Sequence, residues 1–221
     1  QFLTMKSSVP LFAFVVSLLF FSCSSSAPDV KAVRAVSVFD YADGDSYPRM
    51  RLAVFTEAGS DVRRAESIRI VSKETGWEWK ATGVEIFSSD AKQWAGYTNF
   101  VSSGDRSIPQ GAYTVFFTDA LGHDAESSFS VFYPASLART RSAEAKAALG
   151  KAVRERIAVY DKEDVLIYFD VRKAEWKTDD DVWHDMENAF RMRLCFLNAD
   201  KSVLCFMPFI DRSEILPASG E

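Results

Sequence analysis

Apolar and polar residues alternate along several short segments of this chain, and residues that favour turns separate the segments. Alternation with period two indicates strands with one face buried and the other in water. In 76–81, for example, Trp77 and Trp79 fall on one face, whereas Glu78 and Lys80 fall on the other. This spacing of short strands predicts an antiparallel β-sandwich. The predicted strands are 32–39, 50–55, 66–71, 76–81, 112–118 and 128–133.

A motif around the predicted strand 112–118 indicates which type of sandwich this is. Gly111 and Tyr113 form a Gly-x-Tyr opening to the strand, and an Asp-x-x-Gly turn from Asp119 to Gly122 ends it. The arrangement resembles the last hairpin of immunoglobulin-like and related bacterial surface domains. The resemblance implies an immunoglobulin-like fold for residues 32–134, although such a fold does not specify a function.

Residues 135–156 have a different pattern, in which apolar residues recur at helical spacing with Lys and Arg between them. This pattern predicts a connecting helix. Gly150 weakens that helix relative to alanine. The residues that carry the pattern are Ala145, Ala148, Leu149, Ala152 and Val153.

The C-terminal part, residues 157–221, is predicted to be antiparallel and rich in β-strands. One helix is expected within it, from Asp179 to about Arg191. The strands are apolar on both faces, which indicates a sheet that is covered on both sides. The predicted fold is therefore mainly β: an immunoglobulin-like antiparallel sandwich, a connecting helix, and this part. Its strands are predicted at 156–160, 165–169, 192–198 and 202–207.

Cys195 and Cys205 flank the predicted hairpin formed by the last two strands. A three-residue loop, 199–201, would place them directly opposite each other. Opposed Cβ atoms lie about 4.5–5.5 Å apart, near the upper end of what a disulfide can close. The alternative is two buried free thiols, because a loop longer or shorter by one residue would put the side chains on opposite faces.

The N-terminal segment carries a targeting signal. An apolar run from Val9 to Phe21 follows Lys6, and it is shorter than the roughly 20 residues that a membrane-spanning helix needs. Residues 1–22 are therefore predicted to be a signal peptide. The run ends at Ser22-Cys23 and resembles the lipobox of bacterial lipoproteins, although aromatic residues replace the usual Leu and small residue before Ser22.

The lipobox resemblance implies that Cys23 is lipidated, with palmitate-like acyl chains, and that residues 23–31 form a tether. It implies a protein of the bacterial cell envelope that is lipid-anchored to a membrane on its periplasmic or surface face. The alternatives are an ordinary signal peptide that is cut nearby, or an uncleaved N-terminal anchor.

Charge and motifs restrict the function classes. The formal net charge is −5, which argues against a nucleic-acid partner, because such proteins carry a clustered basic surface. The sequence contains no Gly-x-Ser-x-Gly elbow, glycine-rich phosphate loop or His-Glu-x-x-His motif. We therefore expect no catalytic residues and no cofactor. The expected partners are the membrane, through the lipid, and an envelope protein or a glycan.

Four aromatic residues are the candidate ligand-binding residues: Trp77, Trp79, Trp94 and Tyr97. Flat aromatic rings could stack on sugars or anchor a protein partner. The alternative is that they belong to the sandwich core.

The acidic segment 178–187 offers a less favoured alternative function, metal-dependent hydrolysis. On a helix, Asp180, His184 and Glu187 would share a face and could bind a divalent metal in a hydrolase. The favoured interpretation is structural: Thr178 and Asp181 form a capping box, and the three candidates face water. We therefore expect no metal site and predict a non-enzymatic binding or assembly module.

Overall fold

The computed structural model describes residues 28–58, 64–89, 91–102 and 107–212. These ranges are mainly β, as predicted, and the strands form two sheets. The predicted signal peptide and Cys23 lie outside the described residues. The first eight strands are β1 (Val30–Asp40), β2 (Arg49–Ala58), β3 (Ala65–Ser72), β4 (Glu78–Ala81), β5 (Glu85–Ser89), β6 (Lys92–Val101), β7 (Gly111–Asp119) and β8 (Asp124–Val131).

These eight strands have the strand order of an immunoglobulin-like sandwich. One layer runs β1-β2-β6-β5 and the other runs β4-β3-β7-β8. Numbered as strands A to G, the layers correspond to A-B-E-D and C′-C-F-G, which is the immunoglobulin-like arrangement. Leu52, Val54, Ile68, Ile70 and Phe117 lie in the buried core between the layers. The predicted fold class is confirmed for this part.

The Gly-x-Tyr motif forms a tyrosine corner at the start of β7. The Tyr113 hydroxyl donates a hydrogen bond to the Pro109 carbonyl oxygen at 2.6 Å. Gly111 has a φ of +122° and lies against Glu74, so this position favours glycine. Such a corner, near the start of strand F, is a hallmark of the immunoglobulin fold.

The rest of the chain extends the first layer. β12 pairs with β1 in parallel, which joins the C-terminal strands and the sandwich layer into a nine-stranded sheet of order β10-β9-β11-β12-β1-β2-β6-β5, with β13 beside β11. The pairings within the C-terminal part are all antiparallel, as predicted, and the one parallel pairing is the junction between this part and the sandwich. The strands concerned are β9 (Arg154–Tyr160), β10 (Leu166–Asp170), β11 (Arg191–Leu197), β12 (Val203–Phe206) and β13 (Ile210–Asp211).

Short helices cover the inner face of this extension. A 3-10 helix (Ala135–Arg139) and the helix α1 (Ser142–Ala148) bury Leu137 and Ala145 against Phe39 and Cys205. Further along the same face, helix α2 (Asp179–Asp185) buries Val182 and Trp183 against β9 and β11. None of the helices in the described ranges is long and apolar enough to cross a membrane.

Both predicted helices are shorter than expected. The connecting helix does not extend over 135–156, because Gly150 adopts a φ of +100° and β9 begins at Arg154. The second helix ends at Asp185 rather than near Arg191. Its C-cap residue, Met186, leaves helical geometry with φ −120° and ψ 83°.

The predicted register of the cysteine hairpin is also wrong. Cys195 faces Phe206 and Cys205 faces Phe196, so the two thiols lie on opposite faces of the sheet. The loop has one residue more than predicted, because Asn198 pairs with Val203 through both backbone and side chain. Both cysteines are free and buried, and the candidate disulfide is absent.

Candidate functional site

Trp77 and Trp79 form an aromatic slot at the edge of the four-stranded sheet. Trp79 lies on the end strand β4, and Trp77 precedes it after a turn in which Gly76 has a φ of +69°. The two rings meet edge to face, with centroids 5.4 Å apart and an interplanar angle of 63°. As predicted, both side chains lie on one face of the strand.

Residues from β6 close the other side of this slot. The Trp79 indole N–H donates a hydrogen bond to the Val101 carbonyl oxygen at 2.5 Å, which fixes the ring. Trp77, Glu78, Trp79, Val101 and Ser102 line a cleft of about 510 Å³. Both tryptophans are half-buried. The slot therefore has the volume of a small ligand site. One wall is the Trp79 ring, held by its hydrogen bond, and the polar Glu78 and Ser102 lie beside the two tryptophans.

The other two aromatic candidates lie elsewhere. Trp94 is buried on the opposite face of β6 from the sandwich core, where the Arg34 guanidinium lies 4.2 Å from its ring centroid and Phe87 stacks on it. Tyr97 packs on Phe100 in the sandwich core. The structure thus brings together only two of the four predicted residues. Trp94 and Tyr97 are three positions apart on β6, so they lie on opposite faces of that strand.

The outer face of the nine-stranded sheet is covered by its own side chains. Arg193 is only 7 % exposed and its guanidinium lies 3.9 Å from the Phe206 ring centroid and 4.3 Å from that of Phe209. It donates a hydrogen bond to Asp40 at 2.9 Å and another to the Tyr160 hydroxyl at 3.3 Å. Arginine stems and guanidinium planes therefore shield the aromatic rings from water. The sequence signal for this layer is the alternation Arg191-Met-Arg193 on β11, the strand that also carries Cys195.

The acidic segment lines a larger cleft, of about 1320 Å³, between α2 and the turn that joins β9 to β10. His184 and Glu187 contribute to its lining, whereas Asp180 does not. Glu187 lies beyond the end of α2, so the helical face that would have joined the three candidates does not exist. Within the described ranges, no group of three or more His, Cys, Asp or Glu side chains is placed to hold a metal ion.

The favoured structural interpretation of this segment is confirmed. The Thr178 hydroxyl accepts a hydrogen bond from the Asp181 backbone N–H at 3.3 Å, and the Asp181 carboxylate accepts one from the Thr178 N–H at 2.6 Å. Lys173 and Trp176 both donate to Asp185, and the Lys173 ammonium holds the pKa of that carboxyl below its usual value. The acids here cap and brace the helix.

Comparisons with known proteins identify no family for this chain. No family model and no curated protein matches the chain. A search of solved structures finds the crystal structure of BcpA, the major pilin subunit of Bacillus cereus, at 9% sequence identity and a TM-score of 0.17. The match covers 85% of this chain and 64% of that one, just under two thirds of its length. A TM-score this low carries no argument, so the fold assignment rests on the strand order and the tyrosine corner described above.

Proposed function

We propose that this protein is a non-enzymatic binding or assembly module of the bacterial envelope, held to a membrane by lipid on Cys23. The observation that carries the proposal is the position of Cys23, which ends the signal-like run and comes seven positions before the first residue of β1, Val30. A chain of that length spans at most about 25 Å. A lipid on Cys23 would therefore keep the sandwich close to the membrane surface.

The intact mass of the protein, extracted in detergent from its native membrane, tests the anchor. We expect the mass of residues 23–221 plus a diacylglycerol and further acyl groups, because several chains are needed for firm attachment. A Cys23→Ser variant is the matched control and should lose both the added mass and the membrane fraction. A bare chain cut near residue 22, or an uncut chain, would contradict the proposal.

A second candidate function is carbohydrate binding, and the slot between Trp77 and Trp79 favours it. A sugar ring presents an apolar face that can stack on an indole, and the hydrogen bond from Trp79 to Val101 holds one ring in place before any ligand arrives. A fixed ring loses little side-chain entropy on binding. The slot is therefore better suited to this role than the buried Trp94.

Glycan-array binding of the full chain tests the slot. Trp77→Ala should weaken any sugar binding by about tenfold or more, as expected for a central aromatic contact. Tyr47→Ala is the matched control, because Tyr47 is exposed but does not line the slot. Binding that survives Trp77→Ala, or that Tyr47→Ala reduces equally, would exclude the slot as the sugar site.

A further inference from the structure

β10 is one end strand of the nine-stranded sheet, and its outer edge is free within the described ranges. The strand pairs with β9 through Leu166, Tyr168, Phe169 and Asp170, and with no other described strand. The backbone groups that point away from β9 therefore have no strand partner there. Such an edge can accept a further strand.

The side chains around this edge are unusually apolar. Four large apolar residues within seven consecutive positions are exposed: Val165 (55%), Leu166 (49%), Phe169 (41%) and Val171 (53%). Soluble proteins protect an end strand with lysine, proline, inward-pointing charge, short length or a β-bulge. β10 has only the last two: it is five residues long, and its register with β9 shifts between Leu166 and Tyr168. Between 165 and 171 the only charged residue is Asp170, and it is held by Arg156 at 3.3 Å.

The other end strands of the two sheets differ from β10. β4 carries Glu78 and Lys80, and the exposed positions of β8 are acids and serines. On β5, Phe87 is exposed in part but packs on Phe55 with ring centroids 4.9 Å apart. The β10 edge is thus the most apolar edge that the described part of the chain presents.

The charges that flank β10 indicate what pairs with it. Asp164 precedes the strand, and Arg172 follows it. Antiparallel pairing of two identical strands across a two-fold axis places the start of one beside the end of the other. In the register centred on Tyr168, Val165 comes opposite Val171 of the second copy. Asp164, in the turn before the strand with a φ of +62°, then comes beside Arg172 of that copy.

We propose that the free edge of β10 pairs, antiparallel and across a two-fold axis, with the same edge of a second copy of this chain. The flanking charges also have partners in their own chain, Asp164 with Arg191 and Arg172 with Asp179, so they select the register more than they add strength. One strand pairing buries less surface than the ~1,200 Å² of a stable interface. The dimer is therefore weak and depends on protein concentration.

Sedimentation of the full chain in detergent, from about 5 μM to about 500 μM, measures the association in the range expected for a small interface. The sedimenting species should change from monomer to dimer as the protein concentration rises. Phe169→Lys should weaken the dimer about tenfold or more, because it places a charge at the apolar edge. Ile86→Lys, at the opposite end strand of the same sheet, is the matched control and should change it less than about twofold.

A cysteine cross-link tests the register independently. Two copies of residue 168 would lie with Cβ atoms about 4.5–5.5 Å apart, so Tyr168→Cys should give a disulfide-linked dimer under mild oxidation. Cys195 and Cys205 are buried and do not compete. Ile86→Cys should give no such product. A chain that stays single at every concentration, a Phe169→Lys variant that dimerises like the wild type, or a complex only with a different protein would overturn the proposal.

Discussion

The hydroxyl of Tyr113 donates a hydrogen bond to the carbonyl oxygen of Pro109, four residues earlier, at 2.6 Å. The ring itself is fully buried and stacks on Phe129. Burial also raises the pKa of the Tyr113 phenol to about 12, so the hydroxyl remains a donor throughout the neutral range. This contact ties the chain entering β7 to the sandwich core.

Tyr113→Phe should lower the free energy of unfolding by about 1–3 kcal/mol, because it removes a hydrogen bond while keeping the buried ring. Denaturant unfolding followed by tryptophan fluorescence measures the change. Tyr47→Phe is the control, since Tyr47 is 61% exposed, and it should change the free energy by less than about 0.5 kcal/mol. Equal effects of the two substitutions would show that the corner does not stabilise the fold.

The two buried cysteines should remain thiols in the folded protein, even in an oxidising medium. Because Cys195 and Cys205 lie on opposite faces of the sheet, no disulfide can join them without a shift in register. The intact mass should be the same with and without reductant, and both thiols should react with a labelling reagent only after unfolding. A loss of two hydrogens that reductant reverses would mean that the hairpin has the other register.

The same thiols should make the fold sensitive to alkali. Burial raises the pKa of Cys195 and of Cys205 to about 12, from an ordinary value of 9.0. The unfolded thiols ionise above pH 9 while the folded ones stay neutral, so their stabilisation is complete below pH 9 and is lost as the pH rises towards 12. Each thiol should cost up to about 1.4 kcal/mol of unfolding free energy per pH unit in that window.

Urea unfolding at pH 8, 9 and 10 checks this dependence. A variant that carries both Cys195→Ala and Cys205→Ala should lose stability less steeply above pH 9, although it is less stable at neutral pH because of the cavities. Identical slopes for the variant and the wild type would show that the thiols do not ionise on unfolding in this range.

Substitution of Asp40 should lower the free energy of unfolding far more than substitution of an exposed acid nearby. Asp40→Ala leaves the buried Arg193 guanidinium without its carboxylate, which should cost about 2–3 kcal/mol after allowance for the partial exposure of Asp40. Asp45→Ala breaks the exposed pair with Arg141 and should cost less than about 1 kcal/mol. Thermal unfolding compares them, and a second substitution, Arg193→Met, should recover part of the loss from Asp40→Ala.

Local pattern predicted most strands correctly but missed β5, β6 and the two-residue β13. β6 contains Gly96 and a bulge, so its apolar residues change face midway and do not alternate cleanly. β5 joins β6 through a tight turn in which Ala91 has a φ of +58°. Alanine rarely adopts a positive φ, so the sequence contains no signal for a turn at this position. Irregular strands of this kind can be recognised only from the strands that they pair with in the structure.

The candidate site was harder to predict than the fold. The pairing of Trp77 with Trp79 follows from the two-residue period of a strand. The same period places Trp94 and Tyr97, three residues apart, on opposite faces, but only once β6 is recognised as a strand. The register of the cysteine hairpin depended on whether its loop has three or four residues. The Asn198 side chain accepts a hydrogen bond from the Val203 N–H, and this contact belongs to the four-residue loop. The parallel joining of β1 to β12 links distant parts of the chain and leaves no local signal.

The position of β1 has a mechanical consequence. This strand follows the proposed tether directly, yet it lies inside the nine-stranded sheet, paired with β2 on one side and with β12 on the other. A pulling force applied at Val30 would run along the strand and load its hydrogen bonds in shear. It would act on the pairing with β2 from Val30 to Asp40 and on the pairing with β12 from Ser37 to Asp40. A tether at this position would therefore transmit force along the sheet rather than peel away an end strand.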